Sequence, residues 1–145
     1  MTLPPSDSYA LPRTLMSELA FRVEKRGDIT CIMLGMEFQT LDEGRLDGIR
    51  AQLLEVSSNA SPPKVVIDLS HTTFFGSSFI EVLFRMWNRQ NAAAGGKFGI
   101  SGLSDYCREV LEITHLDRLW KLYATLDEAL IEMNKPSESR SDSPT

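Results

Sequence analysis

Hydrophobic spacing along the chain switches between a period of two and a period near 3.6, and each switch marks a change of element. Leu19 to Val23 alternates weakly, Lys25-Arg26-Gly27-Asp28 reads as a turn, and Ile29 to Leu34 is a short apolar run of strand formers. So short a connection predicts an antiparallel pair. Leu41, Leu46, Ile49, Leu53 and Val56 then recur at mostly helical spacing. Thr40 with Glu43 predicts a capping box at the start of that helix, and Ser57-Ser58-Asn59 its end. Pro62-Pro63 interrupts the chain before Lys64 to Leu69, whose near-continuous apolar character suits a strand buried on both faces.

The second half repeats the alternation. Phe79, Ile80, Leu83, Met86 and Trp87 predict one face of a helix from about Phe79 to Ala93, stopped by Gly95-Gly96. Phe98 to Ser101 reads as a short strand. Ser104 predicts the cap of a third helix that carries Tyr106, Val110, Leu111 and Ile113, and Leu119 to Tyr123 reads as a last short strand. Thr125-Leu126-Asp127-Glu128 is a further capping box, opening a terminal helix with Leu126, Leu130 and Met133 on one face. The order β-β-α-β-α-β-α-β-α predicts an α/β sandwich on a mostly parallel sheet, with the first strand antiparallel.

Both ends read differently. Pro4, Pro5 and Pro12 lie among small polar residues, and the stretch from Lys135 is rich in serine with no residue suited to a core. Such composition buries too little apolar surface to offset its ordering entropy. The expectation is a largely disordered extension over 1–18, one folded domain over 19–134 and a disordered tail over 135–145. With 145 residues, 42% hydrophobic and 24% charged, the chain can build one core without disulfides or metal.

Charge and chemistry narrow the function. Fifteen basic against twenty acidic residues give a net charge of −5, which argues against a nucleic-acid partner held by phosphate contacts. No apolar run approaches the roughly 20 residues that span a bilayer, so no membrane insertion is expected. Cys31 and Cys107 read as small buried hydrophobes in a reducing compartment, which predicts the cytoplasm. His71 and His115 are isolated, so no metal and no cofactor are expected. There is no phosphate loop, no nucleophile elbow and no zinc-protease motif, and Asp42/Glu43 and Asp127/Glu128 fall in first helical turns, where carboxylates suit the helix dipole. The chain reads as a non-enzyme.

The segment Val65 to Leu83 differs from the rest. A buried strand runs into Ser70-His71-Thr72-Thr73-Phe74-Phe75, then Gly76-Ser77-Ser78 and a helix. In a doubly wound sheet the binding edge lies where strands end and helices begin. Both serines suit a cap. Ser78 with Glu81 forms a capping box if Ser78 is the N-cap, which leaves the Ser77 hydroxyl outside the helix and free. Ser77 is therefore the candidate phosphorylation site, with Ser78 as the alternative. A phosphate there gains from the helix N-terminus and adds nearly two negative charges to the rim. Phe75, Gly76, Ser77, Ser78 and Phe79 form the candidate partner-binding patch.

Read together, Leu69 to Ser78, Gly95 to Gly102, Val110 to Leu119 and Leu119 to Leu130 resemble the STAS domain of anti-sigma factor antagonists. The resemblance covers about residues 19–134. It implies a four- to five-stranded sheet with about four helices, and a partner protein bound at the serine edge. It also implies a transcriptional role: the unphosphorylated domain occupies a serine kinase/anti-sigma protein that otherwise restrains a sigma factor. The kinase then phosphorylates the serine that corresponds to Ser77 and releases itself. The chain departs from the family pattern at Gly76, where the family has Asp, at Phe79, where it has Gly, and at Glu81, where it has a small residue. The first removes a carboxylate beside the hydroxyl, Phe79 adds bulk on the docking side or faces the core, and Glu81 repels phosphate.

Two other readings stay open. One is an unphosphorylated adaptor, like the scaffold STAS subunits of stress-sensing assemblies or the STAS subunit of a lipid-transport ABC system. The other is a domain binding a nucleotide or small ligand, or a weak enzyme. A homodimer is compatible with either.

Overall fold

A computed structural model describes residues 20–135. Residues 1–19 and 136–145, including the N-terminal extension and nearly all of the tail, lie outside the described residues. Strands β1 (Arg22–Arg26) and β2 (Ile29–Met33) form the expected antiparallel pair, turned at Gly27 with φ +61°. Strand β3 (Thr40–Leu41) follows, then helices α1 (Glu43–Asp47) and α2 (Arg50–Ser58). Next come β4 (Lys64–Asp68), β5 (Phe74–Phe75), α3 (Ser77–Ala92), β6 (Lys97–Ser101), α4 (Asp105–Ile113), β7 (Lys121–Tyr123) and α5 (Leu126–Met133). The main sheet has the order β1-β2-β4-β6-β7, antiparallel at its first pair and parallel elsewhere. Among the described residues there are therefore five α-helices, one more than expected. The single helix expected after Leu41 is two, broken at Gly48, which costs a helix interior about 1 kcal/mol relative to Ala.

The break leaves burial intact, because Leu41, Leu46, Ile49, Leu53 and Val56 all reach the core. The cap also differs from expectation. Asp42 accepts a hydrogen bond from the Arg45 backbone N–H at 2.9 Å, while Thr40 belongs to β3. The capping box at Thr125 forms: its hydroxyl accepts from Glu128 N–H at 3.1 Å, and the Glu128 carboxylate reaches back to Ala124 N–H at 2.9 Å. Ser104 caps α4 by accepting from Cys107 N–H at 3.2 Å.

Two unequal clusters sandwich the sheet. Ile32, Val65, Ile67, Phe98 and Ile100 face α2, α3 and α4 in the larger one. Ile29, Cys31 and Val66 face α5, where only Ala129 and Met133 are buried with them. Consecutive β4 residues thus serve opposite faces, as a strand's period of two requires. On α4 the buried side is Cys107 and Leu111, whereas Tyr106 and Ile113 point outward.

The strands end in step. Met33, Asp68, Ser101 and Tyr123 are register partners across four strands. Backbone bonds carry the pairing one residue further: Leu34 N–H to Asp68 C=O, Leu69 N–H to Ser101 C=O and Gly102 N–H to Tyr123 C=O. Asp68 is buried and accepts from Ser101 Oγ at 2.7 Å and from Ser70 Oγ at 2.6 Å. Gly102 sits at φ +75°, and a Cβ there would stand 2.9 Å from Ser70 backbone atoms, so only glycine lets the two loops approach this closely.

Two measurements follow from this packing. Asp68→Ala orphans the buried Ser101 hydroxyl, which costs about 1–3 kcal/mol. Thermal unfolding is expected to show a lower Tm for Asp68→Ala, with Asp68→Asn intermediate because its carbonyl still accepts. Burial pushes the Cys31 thiol up to about 11 and raises that of Cys107. Both stay protonated at pH 8, so native protein is expected to resist alkylation that goes to completion in denaturant, as read by mass spectrometry.

Candidate functional site

The loop from Leu69 to Phe75 is held by a turn of its own and by bonds to Phe38 and Gln39 more than thirty residues away. Thr72 N–H returns to Leu69 C=O at 2.9 Å, and the buried Thr72 hydroxyl donates to Phe38 C=O at 2.9 Å. Thr73 gives both its N–H and its hydroxyl to Gln39 C=O. These bonds deliver β5 alongside β3 as a parallel pair, Thr40 against Phe74 and Leu41 against Phe75. Each of these short strands is followed by one capping residue and then a helix, Asp42 before α1 and Gly76 before α3. The parallel register therefore starts α1 and α3 side by side.

That geometry decides the roles of the two serines. Gly76 is the N-cap of α3, in extended conformation and with no side-chain cap. Ser77 is the first helical residue, exposed, and among the described residues its hydroxyl has no partner. Ser78, read from the sequence as the N-cap boxed with Glu81, is neither. It lies inside the first turn, half-buried, and donates to Glu43 Oε1 of α1 at 2.5 Å. Glu81 points down the helix to Arg85, 3.4 Å away. The sequence reading missed Glu43 in this position, since nothing local links residues 43 and 78; the only signal is that each opens a helix after a short apolar pair.

The expected aromatic patch is also rearranged. Phe75 and Phe79 are 2% and 0% exposed, with ring centroids 5.3 Å apart inside the core, so they contribute no docking surface. Burial of the two rings closes the start of α3 onto the sheet. The aromatic surface at the rim is Phe74 instead. It stacks on Tyr106 of α4 at 5.6 Å and 25°, and the two are 38% and 49% exposed. Ser104 Oγ donates to Thr73 C=O at 3.3 Å, holding the start of α4 against this loop. Val110 and Ile113 continue the line from Tyr106 along α4 at helical spacing, Ile113 being 69% exposed.

The rest of the rim offers less. A shallow pocket of about 270 Å³ is lined by Asp68, Ser70, Gly102, Thr125 and Asp127. It lies on the α5 side of the sheet, and its two carboxylates disfavour an anion. Among the described residues no three His, Cys, Asp or Glu side chains come together to hold a metal, and His71 and His115 are exposed in separate turns. No helix among the described residues is long and apolar enough to cross a membrane.

Residues 20–129 match the family model of the STAS domain. An anti-sigma-factor antagonist (STAS) domain protein from Planctomyces limnophilus is similar at 41% identity and TM-score 0.76, over 79% of this chain and 98% of that one. An anti-sigma factor antagonist from Mycobacterium paratuberculosis gives 25% identity and TM-score 0.68, over 79% and 93%. The phosphorylated form of the Bacillus cell fate determinant SpoIIAA shares the fold at 21% identity and TM-score 0.57, over 79% and 100%. The described chain therefore belongs to the STAS domain family, as an anti-sigma-factor-antagonist-like member.

Proposed function

We propose that this chain is a phosphorylation-switched regulator that docks on a serine kinase/anti-sigma protein and is itself no enzyme. The observation that carries the reading is the Ser77 hydroxyl, exposed and without a partner among the described residues, at the N-terminus of a 16-residue helix. In the transfer step, Ser77 Oγ forms a bond to the γ-phosphorus of ATP while the bond to the β,γ-bridging oxygen breaks. ADP leaves, and a base on the kinase takes the hydroxyl proton. The phosphoserine then carries about −1.5 to −2 charges beside the free N–H groups of the first turn, which favour an anion there.

The same rim presents Phe74 and Tyr106, a stacked and half-exposed pair of the kind that anchors protein interfaces. Charge placed next to an apolar contact penalises docking, because the phosphate must be desolvated against aromatic surface. Unmodified chain binds the partner and modified chain leaves it. This reading puts the chain in the cytoplasm together with its kinase. The second reading, an adaptor that is never phosphorylated, draws support from Glu81 in the first turns of α3 and Glu43 of α1 bonded to Ser78, two carboxylates near the serines. Arg85 partly neutralises Glu81, which favours the switch over the adaptor.

Incubation with a serine kinase/anti-sigma protein that binds it and ATP is expected to add one phosphate, mapped to Ser77 by mass spectrometry, and to release the complex on a sizing column. A stable stoichiometric complex with no phosphate on either serine would overturn the switch and leave the adaptor. Phe74→Ala and Tyr106→Ala are expected to weaken partner binding about tenfold or more with little change in Tm. Phe79→Ala is expected to lower stability by about 3–5 kcal/mol, through the cavity it opens in the core.

A further inference from the structure

Esterifying a serine removes its O–H and replaces it with an anion, so the group that accepts that proton matters as much as the serine. Ser78 Oγ donates to Glu43 Oε1 at 2.5 Å, and Glu43 is held from its other side, with Arg50 3.7 Å from Oε2. Arg50 is shared with Asp47 at 2.9 Å, so it cannot fully cancel both carboxylates. Neighbouring helical positions are rotated by about 100°, which sends the Ser78 hydroxyl toward α1 and the Ser77 hydroxyl into solvent.

Resting on the reading that Ser77 takes phosphate, we propose that Glu43 is the specificity-determining residue between the two serines. It excludes negative charge from position 78 and leaves position 77 as the place where charge is accepted. A phosphoryl group on Ser78 loses the hydrogen bond to Glu43 and faces that carboxylate at contact range, where like charges repel even under surface screening. On Ser77 the same group breaks no bond and lies at the favourable end of the helix dipole. Glu43 touches neither ATP nor the reacting oxygen, so it acts through Ser78 and by charge. Glu43 thus reaches from 35 residues upstream and is aimed at the second serine.

The full chain tests this without any kinase. S77D is expected to keep or raise the Tm. S78D is expected to lower it by about 2–4 °C, and S78D/E43Q to regain that loss. An S78D variant as stable as S77D, or a loss that E43Q does not recover, overturns the role of Glu43. With kinase and ATP, S77A is expected to stay unmodified and S77A/E43Q to carry phosphate on Ser78. An unmodified S77A/E43Q beside wild type modified on Ser77 overturns the proposal. Wild type unmodified on both serines overturns the switch, while the Tm comparison still decides for or against Glu43.

Discussion

Val65, Val66 and Ile67 of β4 have no exposed side, and that constraint organises the molecule. A central strand covered on both faces needs helices above and below it, and parallel neighbours need crossovers long enough to supply them. The crossovers return every parallel strand to the same end of the sheet. Met33, Asp68, Ser101 and Tyr123 consequently finish in one row, and the loops that follow them share one rim. The buried carboxylate of Asp68 ties two of those loops by its serine partners. The start of α3 is thus carried on rigid supports, with Ser77 as the free hydroxyl at its tip.

Much of the architecture was legible because the information is periodic. The apolar run at Val65 to Ile67, the hairpin at Gly27 and the caps at Ser104 and Thr125 each rest on local chemistry that tertiary contacts do not override. The break at Gly48 was not legible, since Leu46 and Ile49 keep helical spacing across it. Nor were β3 and β5 visible. Two residues carry no period, and their pairing depends on Thr72 and Thr73 bonding to Phe38 and Gln39 more than thirty residues away.

The site divides in the same way. That Ser77 stands exposed at a helix start could be read from the serine pair, although the reason differs: Gly76 caps, and Ser78 is engaged by Glu43 rather than by its own backbone. Phe75 read as a rim residue because an aromatic next to serines looks exposed in a string of letters, whereas Phe79 read both as part of that patch and as part of the apolar helix face, and the second reading holds. In three dimensions their side chains turn inward on either side of Gly76, and Phe74, between them and the loop, is the one that faces out. Alternation across a two-residue strand is too short a signal to tell Phe74 from Phe75.

Among the described residues, one face of the sheet is covered by α5, through Ala129 and Met133 and the partial cover of Leu126 and Leu130. Fewer buried contacts on that side mean a lower free energy for local opening than for unfolding the whole domain. The molecule is therefore built in two tiers. The smaller tier is the cover of α5 over Ile29, Cys31 and Val66, and the larger tier is the cluster on the other face, on which the serine rim is mounted.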